Sequence, residues 1–291
     1  LCIKCKFIQS RIITDPKDRY INYDYSYTSS NSKYSRNHWK NFAFYLRKKR
    51  KIKNSKIIEI GSNDGYLLKH LKKMKANVLG IDASKFMVKI SKENKIDTLH
   101  AIFNFNQSKK IKKKFGYSNI IIANNVFNHS DNPKNFLKGV YHLLEKNGMF
   151  VFEQPYFARG LFAEKFDQIY HEHVSYFTAK NIHSILDVCN FKILSMEENE
   201  YHGGSMRTIA VKKNSLLSEI DISKKIQFEN RNNIYKKNFY SKMFKKINKR
   251  KNTLKKKLYS LKKKNYVIAG IGAGAKANNF LTYFNLDFNI I

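Results

Sequence analysis

A chain of 291 residues, 42% of them hydrophobic, is long enough to bury a substantial core and to form two domains, or one large domain with appendages. No apolar run reaches the roughly 18 residues that a membrane-spanning helix needs, so no membrane partner is expected. The formal net charge of +34 argues less for nucleic acid than for a lysine-rich composition: Lys outnumbers Arg several-fold, is spread along the chain, and neither Arg forks nor aromatic platforms cluster.

An anionic small substrate remains compatible with that charge. The chain opens at Leu1 and closes at Ile291 just after a glycine-rich turn and a helical run, which reads as the interior of a longer protein. Its three cysteines, Cys2, Cys5 and Cys189, are too sparse for a disulfide scaffold and point to a reducing, cytoplasmic compartment. Cys2-Ile3-Lys4-Cys5 is a C-x-x-C knuckle, either half of a zinc site or no site at all, and Cys189 reads as an inert core residue.

From residue 15 to residue 38 the sequence is polar, with Tyr20, Tyr23, Tyr25, Tyr27 and Tyr34 interleaved with serines. It is a plain loop, or a surface that hydrogen-bonds a sugar or nucleotide. Trp39, Phe42, Ala43 and Leu46 fall at helical spacing and predict an amphipathic helix over 39–49.

The stretch from Lys56 to Met74 reads as strand, tight turn and helix: a β-branched run, then Gly61-Ser62-Asn63-Asp64-Gly65, then apolar residues at 67, 68, 71 and 74. This opens a Rossmann-like unit. Residues 77–82 supply the second strand, and Asp82 lies 21 positions after Gly61, where a ribose-binding carboxylate is expected. Glu59 and Asp64 would repel a diphosphate at the helix N-terminus. They suit a phosphate-free cofactor carrying an ammonium and a sulfonium, which is S-adenosylmethionine.

Residues 117–124 read as a fully buried strand that breaks into Asn125-Val126-Phe127-Asn128-His129-Ser130, and His129 either meets a ligand or caps the following helix. That helix is expected over 135–144, stopped by Lys146-Asn147-Gly148, with a strand over 149–154 broken by Pro155. Next comes Tyr170-His171-Glu172-His173, two imidazoles flanking a carboxylate behind a phenol. It is an acid/base centre, a surface run, or a strand face whose His171 and His173 bind a metal. Beyond it lie a helix over 179–189, a strand over 191–196, and His202-Gly203-Gly204-Ser205-Met206-Arg207 leading into a last sheet strand over 208–211. Arg207 is either a phosphate partner or an ordinary surface residue. Residues 212–264 are lysine-heavy and helical, with an apolar stripe through Tyr240, Met243, Phe244, Ile247, Leu254, Leu258 and Leu261. They read as a solvated helix bridging two domains in preference to a nucleic-acid-binding face. A strand over 265–269 and a helix from Asn278 then enclose Gly270-Ile271-Gly272-Ala273-Gly274-Ala275-Lys276, a turn able to meet phosphates.

Taken in order, these motifs resemble the S-adenosylmethionine-dependent nucleotide-sugar C-methyltransferases. The residues that carry the resemblance are Cys2-x-x-Cys5, residues 25–30 with His38, residues 59–65, Asn124 to His129, Tyr170 to His173, His202 to Arg207, and Gly272 to Lys276. It implies an α/β fold: a partial zinc-binding, substrate-capping domain (1–38), a class I Rossmann-like methyltransferase domain (39–212), and a helical linker with the start of a truncated Rossmann-like C-terminal domain (213–291). The family's first zinc-ligand pair and most of its third domain are missing, and its Ala-Pro-Ala-Lys turn is Ala-Gly-Ala-Lys here. The implied reaction methylates the carbon beside the ketone of a nucleotide-linked, typically dTDP-linked, keto-deoxysugar. By the same resemblance His173 is the base, Tyr170 and Glu172 orient it or the sugar, and His129 stabilises the enolate or polarises the ketone. One of Tyr25 and Tyr27 reaches in from the first domain. Glu59, Gly61, Ser62, Asn63, Asp64, Gly65, Asp82, Asn124 and Asn125 hold the cofactor. His202, Gly203, Gly204, Ser205, Arg207 and Lys276 meet the substrate, and Cys2 and Cys5 supply half of a structural zinc site. Two other functions stay open, a nucleic-acid methyltransferase and a non-catalytic cofactor-binding module. Nothing in the sequence sets an oligomeric state.

Overall fold

The computed structural model describes residues 7–22, 27–272 and 274–291; Cys2 and Cys5 of the expected zinc half-site, and Tyr25, lie outside them. β1 (Ile8–Gln9) and α1 (Lys33–Lys49) precede the first βα unit, β2 (Lys56–Ile60) with α2 (Tyr66–Lys73). Two further units follow, β3 (Asn77–Asp82) with α3 (Lys85–Glu93) and β4 (Thr98–His100) with α4 (Phe105–Phe115). The chain continues through β5 (Ser118–Asn124), α5 (Pro133–Leu143), β6 (Leu144–Pro155), α6 (Phe157–Phe162), β7 (Ser175–Tyr176) and α7 (Ala179–Val188). β8 (Phe191–Asn199) and β9 (Ser205–Lys212) complete the strands, and α8 (Ser223–Arg231), α9 (Lys237–Lys263) and α10 (Ala275–Phe284) close the chain.

Seven strands form one sheet in the order β4-β3-β2-β5-β6-β9-β8, parallel from β4 to β6 and antiparallel where β9 joins β6 and β8. This is the α/β Rossmann-like fold that the strand-turn-helix pattern predicts, in the class I form that the resemblance implies. Alternation along each strand divides the core. Ile58, Ile60, Ile121, Ala123, Phe150 and Phe152 face one layer with Phe136 and Val140 of α5, while Ile57, Ile120, Ile122 and Val151 face the other with Leu46 of α1 and Leu71 of α2. Each such buried side chain contributes about 1.5–3 kcal/mol of transfer free energy. The chain runs outward from β2 to β4 and returns to β5. The sheet's switch point therefore lies between the carboxyl ends of β2 and β5, where a crevice opens.

Some boundaries differ from the sequence reading. α1 begins before Trp39 because Ser32 caps it, its Oγ accepting the Ser35 N–H at 3.1 Å. α5 runs straight into β6 at Leu144, so Lys146-Asn147-Gly148 belongs to the irregular start of a strand and does not stop a helix. Tyr117 is exposed and precedes β5. The expected strand over 265–269 is absent: residues 266–270 carry no regular structure, because a strand needs a neighbour to complete its hydrogen bonds. α9 is not a free bridge, since Met243 and Ile247 are buried against the main core. No helix among the described residues is long and apolar enough to cross a membrane.

Two long-range contacts place the outer segments. Glu229 of α8 is fully buried and accepts the backbone N–H groups of Ala179 (2.6 Å) and Lys180 (3.1 Å) at the start of α7, together with the hydroxyls of Tyr156 (2.8 Å) and Tyr235 (2.6 Å). On α10, Phe280, Tyr283 and Phe284 stack around Phe166, just before the histidine motif, and Asn279 donates to the Ile169 carbonyl at 2.8 Å.

Candidate active site

The crevice is a cavity of about 810 Å³ reaching from the end of β2 to α10. On the β2 side Gly61 adopts φ +70°, and a Cβ built on it would stand 2.9 Å from Val126, so the turn and β5 can approach this closely only at a glycine. Asp82 lines the cavity with each oxygen anchored, one by the Asn63 N–H (2.8 Å) and one by the Ser84 N–H (2.8 Å). Asn124 and Asn125 also line it. Both polar atoms of the Asn124 side chain and Oδ1 of Asn125 are buried without a partner among the described residues. Glu59 lies beneath, its carboxyl pushed well above the ordinary range by burial and then by the charges of Asp64 and Asp82.

Asp64 departs from expectation. Its carboxylate accepts Ser29 Oγ (2.6 Å), Ser30 Oγ (2.5 Å) and the Tyr66 N–H (3.3 Å), so it fastens the preceding segment to the N-terminus of α2 and does not face the cavity. Ser62 and Gly65 shape the turn from behind, whereas Gly61 and Asn63 line the cavity.

Across the cavity Tyr170 to His173 forms a turn closed by the His173 N–H donating to the Tyr170 carbonyl at 3.0 Å. A turn separates side chains that a strand would align. The His171 side chain is 62% exposed, while Tyr170, Glu172 and His173 line the cavity. The reading of His171 and His173 as joint metal ligands on a strand therefore fails, and among the described residues no group of three or more His, Cys, Asp or Glu is placed to hold a metal.

His173 Nδ1 donates to the Gln168 carbonyl at 2.9 Å, and the Tyr170 hydroxyl lies 3.2 Å from Nε2. Because a carbonyl only accepts, Nδ1 bears the hydrogen and Nε2 keeps the lone pair. Burial pushes this imidazole down to about 4; the Gln168 bond opposes the shift, and Lys276 and His202 add to it. Burial likewise raises Glu172, against the opposing charges of His171 and Arg19.

His129 ends a short helical turn with its ring centroid 5.3 Å from that of His173. Its pKa is lowered well below the ordinary value, by burial first and then by His173 and Arg19. Tyr27 lines the cavity, its carbonyl accepting from Asn63 Nδ2 at 2.8 Å. His202, also pushed down to about 4 by burial, and Lys276 in the first turn of α10 complete the far wall.

The remaining expected substrate residues lie elsewhere. The Gly203 and Gly204 carbonyls accept Lys165 Nζ (2.8 Å) and the Tyr156 N–H (3.1 Å), and the buried Ser205 hydroxyl donates to Tyr201. Arg207 stands opposite Glu153 in the β6–β9 register and binds its fully buried carboxylate through Nε (2.8 Å) and a terminal nitrogen (2.6 Å), with Phe42 and Tyr45 stacked beneath the guanidinium. That fork is occupied, so Arg207 is a structural partner and not a phosphate ligand. Burial would raise Glu153, but His38 and Arg207 outweigh it and hold the carboxyl below the usual range.

Sequence reasoning assigned no role to Tyr20, Arg19 or Tyr201. Tyr201 lines the cavity and stacks on His38 with 3.8 Å between centroids. Tyr20 was visible only as one of a tyrosine-rich run.

The methyltransferase domain family matches residues 31–196, and the C-methyltransferase C-terminal domain family matches 200–291. The chain is similar to the C-methyltransferase NovU of Streptomyces niveus, 27% identical over 154 residues, which cover 53% of this chain and 37% of that protein. It is similar also to the ubiquinone biosynthesis O-methyltransferase of Pelagibacter ubique, 32% identical over 105 residues, covering 34% of this chain and 42% of that one. The match thus spans less than half the length of either curated relative. Two solved structures share the fold: a Pyrococcus horikoshii protein (TM-score 0.52, 16% identity, 65% of this chain and 95% of that one) and a SAM-dependent methyltransferase from Archaeoglobus fulgidus (TM-score 0.50, 17% identity, 61% and 94%). With more than half of its residues in the first of these matches, the chain belongs to the methyltransferase domain family.

Proposed function

We propose that this protein is an S-adenosylmethionine-dependent C-methyltransferase acting on the carbon beside the ketone of a nucleotide-linked keto-deoxysugar, with dTDP as the expected nucleotide. The observation that carries this reading is one continuous cavity lined by Gly61 and Asp82 at one end and by His173 and His129 at the other. The carboxylate of Asp82, the orphaned polar atoms of Asn124 and Asn125, and the glycine cradle suit a polar cofactor without phosphate. When bound, S-adenosylmethionine supplies an electrophilic methyl group on a sulfonium.

A carbon acid must lose its proton before it can accept that methyl, and His173 Nε2 is the base for it. The Tyr170 hydroxyl lies 3.2 Å from the same nitrogen, so a carbon acid must displace it to reach the lone pair. An imidazole held near 4 is neutral throughout the physiological range, yet it is a thermodynamically poor base, each unit of mismatch costing about 1.4 kcal/mol. Stabilisation of the developing enolate must make up the difference, which is the task of His129. Tyr27, His202 and Lys276 would meet the sugar and its anionic carrier.

The decisive experiment incubates the full-length protein with methyl-labelled S-adenosylmethionine and a panel of nucleotide-linked ketosugars, reading label on carbon. His173→Ala should keep cofactor affinity and lose about 10²- to 10⁴-fold in turnover. Wild-type turnover in that variant would remove His173 as base. Cofactor binding with no transfer to any sugar would favour a non-catalytic module, and salt-sensitive transfer to RNA or DNA would favour nucleic-acid methylation.

A further inference from the structure

Residues 27–30 reach the cavity without belonging to any helix or strand, yet Tyr27 and Ser29 both stand in its wall. A segment with no ladder of its own takes its place from whatever its polar groups bind. Here five of those groups go to two consecutive residues of the turn after β2. The Asn63 side chain meets the backbone in both senses, Nδ2 donating to the Tyr27 carbonyl (2.8 Å) and Oδ1 accepting the Ser29 N–H (2.8 Å). The Asp64 carboxylate accepts the hydroxyls of Ser29 (2.6 Å) and Ser30 (2.5 Å) and the Ser30 N–H (3.2 Å).

The direction of each bond follows from the groups that make it. A carbonyl only accepts and a backbone N–H only donates, so the Asn63 amide can face Tyr27 and Ser29 one way round. A carboxylate likewise only accepts, and the two hydroxyl contacts have the length of hydroxyl-to-carboxylate bonds, which are roughly twice as strong as neutral ones. Asp64 is 2% exposed, so water competes little for it. The turn is fixed from its other side, where the Asn63 N–H donates to Asp82 (2.8 Å) and the Asn94 side chain donates to the Asp64 carbonyl (3.0 Å). One turn thus anchors Asp82 with its backbone and the Tyr27 segment with its side chains.

We propose that Asn63 and Asp64 are positioning residues for Tyr27: their side chains clamp residues 27–30 and so set where the Tyr27 ring stands in the cavity wall. What that ring meets, the sugar, rests on the function proposed above; the clamp itself does not. Tyr27 then takes its position from the same turn that shapes the Asp82 end of the cavity, although 36 positions separate it from Asn63. The two ends of the site are thereby held in one register.

The test places 3-fluorotyrosine at position 27 of the full-length protein and reads its fluorine resonance. Ser30 lies outside the cavity wall, so Ser30→Ala removes one hydroxyl of the clamp and leaves the wall intact. In the wild type the signal should stand apart from that of the free amino acid. In Ser30→Ala it should move toward the free position, and Ser30→Thr, which keeps the hydroxyl, should restore it. A signal unmoved in a folded Ser30→Ala overturns the proposal. So does a wild-type signal at the free position, which needs no variant to fold. Once a methyl acceptor is found, Ser30→Ala should raise the KM for it about tenfold, as loss of one hydrogen bond to a charged group would, and leave the KM for S-adenosylmethionine in place. The reverse split overturns the proposal as well. The resonance needs no acceptor, so its failure is distinct from a failure to find a methylated sugar.

Discussion

Burial moves His129, His173 and His202 in one direction, toward neutrality, and it moves Glu59, Asp82 and Glu172 toward their neutral acids. The consequences for stability oppose each other. A histidine whose folded pKa is depressed costs stability as pH falls from its unfolded value of about 6.5 toward the folded one, because the unfolded chain binds the proton first. A carboxyl whose folded pKa is raised costs stability as pH rises above its unfolded value of about 4, because the folded chain binds the proton more tightly. These windows overlap, so the His173 shift is better read from its own titration than from unfolding. By NMR its ring should stay neutral down to about pH 4, and a midpoint near the ordinary imidazole value of about 6.5 would contradict the burial account. The histidine motif was legible in the sequence, and the structure sets its His173 in the cavity wall. The contact between His129 and Tyr20 was not legible, because Tyr20 lies 109 positions away and only the fold brings them together.

Among the elements, β6 and β9 show why a motif can be recognised and still be misassigned. His202 to Arg207 reads as one substrate-facing run, but the turn sends His202 to the cavity while the strand register sets Arg207 against Glu153. Side-chain parity along β9 is fixed by that register, which the linear sequence does not display. Since Glu153 is fully buried, Arg207→Ala leaves a buried carboxylate with one cation fewer and should destabilise the protein by roughly 3–5 kcal/mol in urea unfolding. A loss below about 1 kcal/mol would place the pair with ordinary surface bridges. The first βα unit was legible because a β-branched run, a glycine turn and a helical period follow in order within 19 residues, 56–74. Glu229 was not, since a carboxylate in a lysine-rich helix looks like any surface acid until α7 and two tyrosines close around it.

Over the whole molecule, separate lengths of chain meet at the cavity: the segment carrying Tyr20, the loops at the carboxyl ends of β2 to β6 with the β8–β9 turn of Tyr201 and His202, and the start of α10. The sheet that supports the middle group is buried on both faces. The first segment is held more lightly. β1 pairs with β7 through Ile8–Tyr176 and Gln9–Ser175, one further bond joins the Ser10 N–H to the Val174 carbonyl (2.8 Å), and Arg19 is the main anchor beyond them. Since β7 directly follows His173, the strand pair links the Tyr20 segment to the loop of the base. In terms of amide exchange, the two should form one cooperative unit that opens well before the central strands. Residues 7–22 and 170–176 should therefore exchange at matching rates, faster than β2 and β5. A ligand that binds only the closed form should slow both by the same factor, and unequal slowing would show that the Tyr20 segment can release without the loop that carries His173.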